Sequence, residues 1–127
     1  MNESLLKRNL GSLTLERYRQ TFKFPLKKYY KELGFNFELE SFKDCGLEFI
    51  NKFKDRMNEP NLHTETIKVL KKINQSGVAQ SILSAQNQQL LDISIEYYGI
   101  SKYFNAINGL KNYYAEGKIE IGNKYIA

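Results

Sequence analysis

The run Val78-Ala79-Gln80-Ser81-Ile82-Leu83-Ser84-Ala85-Gln86 constrains this chain more than any other stretch. β-Branched and apolar residues crowd into it, Gly77 closes the helical pattern before it, and Gln86, Asn87, Gln88 and Gln89 open the helical pattern after it. Helix, strand, helix is the order from which parallel sheets are made. In such sheets ligands bind outside the carboxyl ends of the strands, which puts Ser84 where chemistry is expected. The unpaired backbone N–H groups of the following helix would point to the same place and suit an anion. Two uses of Ser84 stand side by side here: an anion-binding hydroxyl, and a plain N-cap of the next helix.

The remainder of the chain divides around this run. Leu5 and Leu6 lie in a short piece ended by Gly11-Ser12, which reads as the tail of a helix. Thr14 can cap a helix carrying Leu15, Tyr18 and Phe22, and Phe24-Pro25 interrupts it. Leu26, Tyr29, Tyr30 and Leu33 then form one apolar face that Gly34 stops. A longer helix, from about Leu39 to about Asn58, carries Phe42, Cys45, Phe49, Ile50, Phe53 and Met57 and ends at Pro60. Thr64 to Ser76 is amphipathic, with Ile67, Leu70 and Ile73 on one side and Lys68, Lys71 and Lys72 on the other. Strands are predicted near Ala79 to Leu83 and Phe104 to Ile107, with a helix from Gln88 to Tyr98 between them, closed by Gly99. A connection that long makes the two strands parallel, since a hairpin needs only a short turn. Gly117-Lys118 then precedes Ile119, Ile121, Tyr125 and Ile126, the start of another helix.

A first half of helices alone and a second half alternating helix and strand give an α/β fold with a helical subdomain. At 127 residues there is room for one ordinary domain or a small core with an insertion, and 42% hydrophobic with 26% charged residues is a globular composition. Nine Tyr and eight Phe supply the apolar area of a core. The net charge of +5 is spread, with twelve basic against nine acidic residues in 1–60 and seven against five in 61–127. Neither half is a concentrated basic module, so no nucleic-acid partner is expected, and Lys27, Lys28 and Lys31 read as a solvated basic face. No apolar run is long enough to span a membrane, and no membrane partner is expected. The single cysteine, Cys45, excludes an internal disulfide and fits a reducing, cytoplasmic setting. It falls on an apolar helix face, so packing is its expected use. His63 has no neighbouring ligand residue in sequence, and no metal site is read from the residues.

The passage Ser81-Ile82-Leu83-Ser84-Ala85, followed by Gly109-Leu110-Lys111-Asn112-Tyr113-Tyr114-Ala115-Glu116-Gly117-Lys118, resembles the second and third motifs of the haloacid dehalogenase-like hydrolases. The connecting Tyr98-Gly99-Ile100-Ser101-Lys102-Tyr103-Phe104 is similar to that family's helix-to-strand link. Residues 12–60 resemble its helical cap, of the phosphoglycolate phosphatase-like kind. The resemblance implies a partial Rossmann-like parallel sheet core, made of residues 1–11 and 61–127, with an α-helical cap subdomain at residues 12–60. It also implies a phosphate monoester hydrolase acting on a small phosphorylated substrate with Mg²⁺. Ser84 and Lys118 would be its catalytic residues and Ala85 and Gln86 its substrate-binding residues, with Lys111 as the alternative to Lys118.

The departure from the family pattern is chemical. Members use an Asp nucleophile and a second Asp two residues on, in an Asp-x-Asp-Gly motif, and a later acidic pair that helps hold Mg²⁺. This sequence has only Asp44, Asp55 and Asp92, none spaced as a pair. The expectation is therefore an incomplete member, beginning just after the first motif and stopping just before the fourth, without the nucleophile and metal ligands that phosphoryl transfer needs. Such a chain would be inactive, and the strand carrying Ser84 would keep an open edge through which copies self-associate. The alternative is a non-catalytic helical module that binds a protein partner through its aromatic-rich first half.

Overall fold

Helix starts and stops follow the local chemistry of the chain. The computed structural model describes residues 1–113 and 118–126, which fall into two units, Met1–Asp55 and Arg56–Ala127. The first holds α1 (Asn2–Lys7), α2 (Leu15–Thr21), α3 (Leu26–Glu32) and nearly all of α4 (Phe42–Arg56). Thr14 caps α2 by accepting the Arg17 N–H at 3.1 Å, and Ser41 does the same for Asp44 at the head of α4 at 3.0 Å. A cis Phe24–Pro25 bond separates α2 from α3. Gly34 ends α3 in the left-handed region at φ 103°, and a Cβ there would lie 2.8 Å from Leu10 Cδ2, so the turn requires glycine.

The core of this unit is Leu5, Tyr29, Tyr30, Leu33, Phe35 and Cys45, with Phe37 and Phe42 packed around it. Leu5 is wholly buried, so α1 shares one core with α3 and α4. Edge-on aromatic pairs run through the unit from Phe22–Tyr29 at 5.1 Å to Tyr30–Phe42 at 5.6 Å and Phe42–Phe37 at 5.5 Å. Tyr29, Tyr30 and Cys45 are buried as expected of packing residues. Burial pushes the Tyr30 hydroxyl up to about 12 and raises the Cys45 thiol as well.

In the second unit, α5 (Thr66–Gln75), β1 (Ser81–Asn87), α6 (Gln88–Tyr97), a 3-10 turn (Ser101–Tyr103), β2 (Ala106–Leu110) and α7 (Lys118–Ile126) follow in order. The strands are parallel, with Ser81 beside Ala106, Ile82 beside Ile107 and Leu83 beside Asn108. The expected parallel pair is thus present in an α/β arrangement. Successive residues of β1 face opposite ways. Ile82 joins Leu91, Ile95 and Ile100 in a core completed by Leu70 of α5 and Ile107 of β2, while Ser81 and Leu83 meet α7. One sheet face therefore carries α5 and α6, and the other carries α7.

The boundaries around the central run differ from those expected. β1 runs beyond the expected Leu83, through Ser84, Ala85 and Gln86 to Asn87, while α6 starts at Gln88 as expected. Asn87 decides this. Its side chain accepts the N–H groups of Gln89 and Leu90 at 3.1 and 3.4 Å, so Asn87 is the N-cap of α6 and Ser84 is not. β2 is likewise shifted to Ala106–Leu110 because Asn105 precedes it as a clamp, exchanging bonds with the Gln80 backbone at 2.7 and 3.1 Å.

Candidate functional site

The carboxyl end of β1 is where the sequence-predicted residues collect. Ser84 lies in β1, half-buried, and its Oγ accepts the Gln86 N–H at 3.1 Å. That short bond across Ala85 turns the strand, and the register with β2 breaks between Leu83 and Asn87. Ser84, Ala85 and Gln86 are therefore an irregular strand end, held on one side by the Asn87 cap and on the other by β2.

Lys118 is the exposed first residue of α7. Two contacts fix the direction of this helix. Tyr125 Oη and Ser81 Oγ share a hydrogen bond, and a Cβ on Gly122 would lie 3.1 Å from Leu83 Cδ2. Moving back along the helix from Tyr125 to Gly122 is moving forward along the strand from Ser81 to Leu83, so α7 runs antiparallel to β1. Lys118 is one turn further back, about 6 Å of helix rise, which matches about two strand residues. This course leads the start of α7 toward the Ser84 end of the strand. The other half of the third motif, Tyr114 to Gly117, lies outside the described residues.

Sequence reading misses the residues that tie this end together. Gln88, the first residue of α6, donates through Nε2 to Ile107 O at 3.2 Å and to Asp92 Oδ1 at 2.8 Å, and its Oε1 accepts the Gly109 N–H at 2.6 Å. Gly109 has to be glycine: a Cβ there would be 2.8 Å from Gln86 O and 2.9 Å from Gln88 Cα, both main chain. The signal is Asn108-Gly109, which in sequence reads only as a turn. Asn108 donates to Ile82 O at 3.4 Å. Asp92, one of the three aspartates, is engaged by Gln88 on the exposed side of α6.

Within the first unit the strongest electrostatic feature is Arg8. Its guanidinium bonds both oxygens of Glu40, Nη2 to Oε2 at 2.6 Å, and reaches Glu48 at 3.1 and 3.3 Å, Ser4 O at 2.9 Å and the Phe35 ring at 4.8 Å. Arg8 holds the Glu48 carboxyl down at about 2 and lowers that of Glu40. All its partners are consumed, so this network ties α1 to α4 and offers no free group for chemistry. Among the described residues no three of His, Cys, Asp and Glu come together to hold a metal, and no helix is long and apolar enough to cross a membrane.

A family model described as haloacid dehalogenase-like hydrolase matches residues 1–118. No curated protein matches the chain, and no solved structure does.

Proposed function

Because the chain belongs to the haloacid dehalogenase-like hydrolase family, we propose that it carries the phosphate-orienting half of a phosphate monoester hydrolase site. Ser84 donates its hydroxyl to a phosphate oxygen, Lys118 balances the charge, and the Ala85 and Gln86 backbone lies against the bound group. The reading is supported above all by the antiparallel course of α7 along β1, which brings the start of the helix to the strand end that holds Ser84. Each charge-assisted bond to the anion contributes roughly 1.5 to 3 kcal/mol.

The Mg²⁺ that this family generally uses does not fit the residues at hand. Ser84 Oγ, the Gln86 amide and the Lys118 ammonium include no carboxylate, and an ammonium repels a dication. Nor is there an Asp in this end of the strand to attack phosphorus, since Asp44, Asp55 and Asp92 all lie in α4 and α6. The chain therefore binds and orients a phosphate without transferring it. On the same reading residues 12–60 serve as the cap and residues 61–127 as the core, while residues 1–11, expected with the core, go with the cap because Leu5 packs against Tyr29, Leu33 and Cys45. A cytoplasmic setting belongs to this reading, supported by a single cysteine that is buried in a core.

Two measurements test it. Hydrolysis of p-nitrophenyl phosphate with Mg²⁺ should be absent, and inorganic phosphate should bind with an affinity that Ser84→Ala and Lys118→Ala each reduce. Turnover by the unaltered chain would overturn its inactivity, and turnover or phosphate binding indifferent to both substitutions would overturn the site. The alternative of a protein-binding helical module has its own support in Leu15 at the start of α2 and Phe24 in the link to α3, 63% and 59% exposed. Absence of apolar-dye binding that Leu15→Ser and Phe24→Ser can lower would dismiss it.

A further inference from the structure

The Met1–Asp55 unit has a groove of about 510 Å³ lined by Lys27, Lys31, Phe35, Asn36, Phe37 and Glu38. Its size is within the range of small-molecule sites, roughly 300 to 1,000 Å³. Lys27 and Lys31 are one turn apart on α3, so their stems rise from the same helix face. Phe35 is buried at its base with the Arg8 guanidinium 4.8 Å from the ring, and the Lys27 ammonium is 5.8 Å from the Phe37 ring. Other lysines of this unit already hold a glutamate: Lys7 with Glu48, Lys23 with Glu32 and Lys52 with Glu3. Among the described residues neither Lys27 nor Lys31 has such a partner. What reads in sequence as a solvated basic face is, at these two positions, the wall of a concavity floored by aromatic rings.

We propose that this groove binds an aromatic monophosphate. Two uncompensated ammonium groups balance one phosphate dianion. The apolar floor takes a ring against Phe37 once the Lys27 ammonium, which lies over that ring, turns to the phosphate. Glu38 restricts orientation. Its backbone N–H is held by Asn36 Oδ1 at 2.9 Å, and its carboxylate would repel the anion, so the phosphate lies at the lysine end and only a donor group can approach the glutamate. All six residues belong to the first unit, and the inference does not rest on the reading of Ser84.

Calorimetric titration of the full chain at low salt with phenyl phosphate, phenol and inorganic phosphate tests this. Phenyl phosphate should bind roughly tenfold more tightly than either fragment, and added salt should weaken it. Titrated in the Ser84→Ala, Lys118→Ala background, where binding at the β1 strand end does not contribute, Lys27→Gln with Lys31→Gln should reduce the affinity roughly tenfold and Phe37→Ala should erase the preference over inorganic phosphate. These are surface or half-exposed positions, and circular dichroism verifies that each variant is folded. In that background, no binding at millimolar phenyl phosphate, equal affinity for inorganic phosphate, or full affinity in the double glutamine variant would each overturn the proposal.

Discussion

The backbone N–H of Gly109 donates to Gln88 Oε1 at 2.6 Å at a crossing so close that a Cβ on Gly109 would touch the Gln86 carbonyl and the Gln88 backbone. This contact joins the end of β2 to the first residue of α6 and thereby holds the Ser84 strand end in shape. Ser84, Gln86 and Gln88 are in one rigid corner because a glycine lets two backbones meet there.

Replacing Gly109 by alanine should accordingly cost about 1 to 3 kcal/mol, since main-chain atoms must move, lowering the melting temperature by roughly 4 to 8 °C per kcal/mol. Gly46 is the opposite case. It lies inside α4, and a Cβ added to it would meet nothing within 4 Å, so Gly46→Ala should stabilise by about 0.5 to 1 kcal/mol. Thermal melts of the two variants moving in the same direction would contradict the packing described.

Leu5→Ala should destabilise the first unit by about 2 to 5 kcal/mol, because its side chain is wholly enclosed by the core it shares with Tyr29, Leu33 and Cys45. Leu6, its neighbour, is 76% exposed, and Leu6→Ala should shift stability by less than about 0.5 kcal/mol. Denaturant midpoints for the pair decide it, and equal effects would remove α1 from that core.

Much of this architecture is legible in the chain itself. Gly34, Gly77 and Gly99 stop three helices with positive φ where expected, and the apolar spacing of Leu26, Tyr29, Tyr30 and Leu33 gives the buried face of α3. The parallel pairing of β1 and β2 follows from the helix between them. What the spacing does not reveal is competition between local caps: Asn87 captures two N–H groups and Ser84 captures one two residues on, so the cap of α6 is Asn87 and not Ser84. Long-range ties are also silent in sequence, since Arg8 meets Glu40 and Glu48 only after α1 packs on α4. The Lys27 and Lys31 groove is a concavity, and helical periodicity encodes no concavity.

The Arg8 network sets a pH dependence. A carboxyl whose folded-state value is held near 2 by Arg8 stabilises the fold above its unfolded value of about 4.3, and that stabilisation disappears as pH falls toward about 2. The contribution of this carboxyl should therefore be level above about pH 5 and decline between about pH 4.5 and 2. Glu48→Gln should flatten this decline and cost about 1 to 3 kcal/mol at pH 7, because Arg8 is left half-buried with part of its charge unmatched. An unchanged acid limb in Glu48→Gln would show that Glu48 does not carry it.

The last expectation concerns the sheet edge. Between Lys72 and Asp92 the sequence has no Lys, Arg, Asp or Glu, and no Pro. This uncharged stretch includes all of β1, which pairs with β2 alone among the described strands. Natural edge strands resist pairing with other chains through charge or proline, and β1 has neither. Two copies laid edge to edge would bring no like charges together, and Val78, 60% exposed just before β1, would gain cover. A parallel pair of strands by itself is also a weak sheet that gains from a further strand. Sedimentation across a hundredfold range of concentration should give a weight-average mass rising above 14.9 kDa, with amides of β1 the ones newly protected from hydrogen exchange at the high end. A mass that stays monomeric throughout, or protection appearing elsewhere than β1, would show that this edge does not drive association.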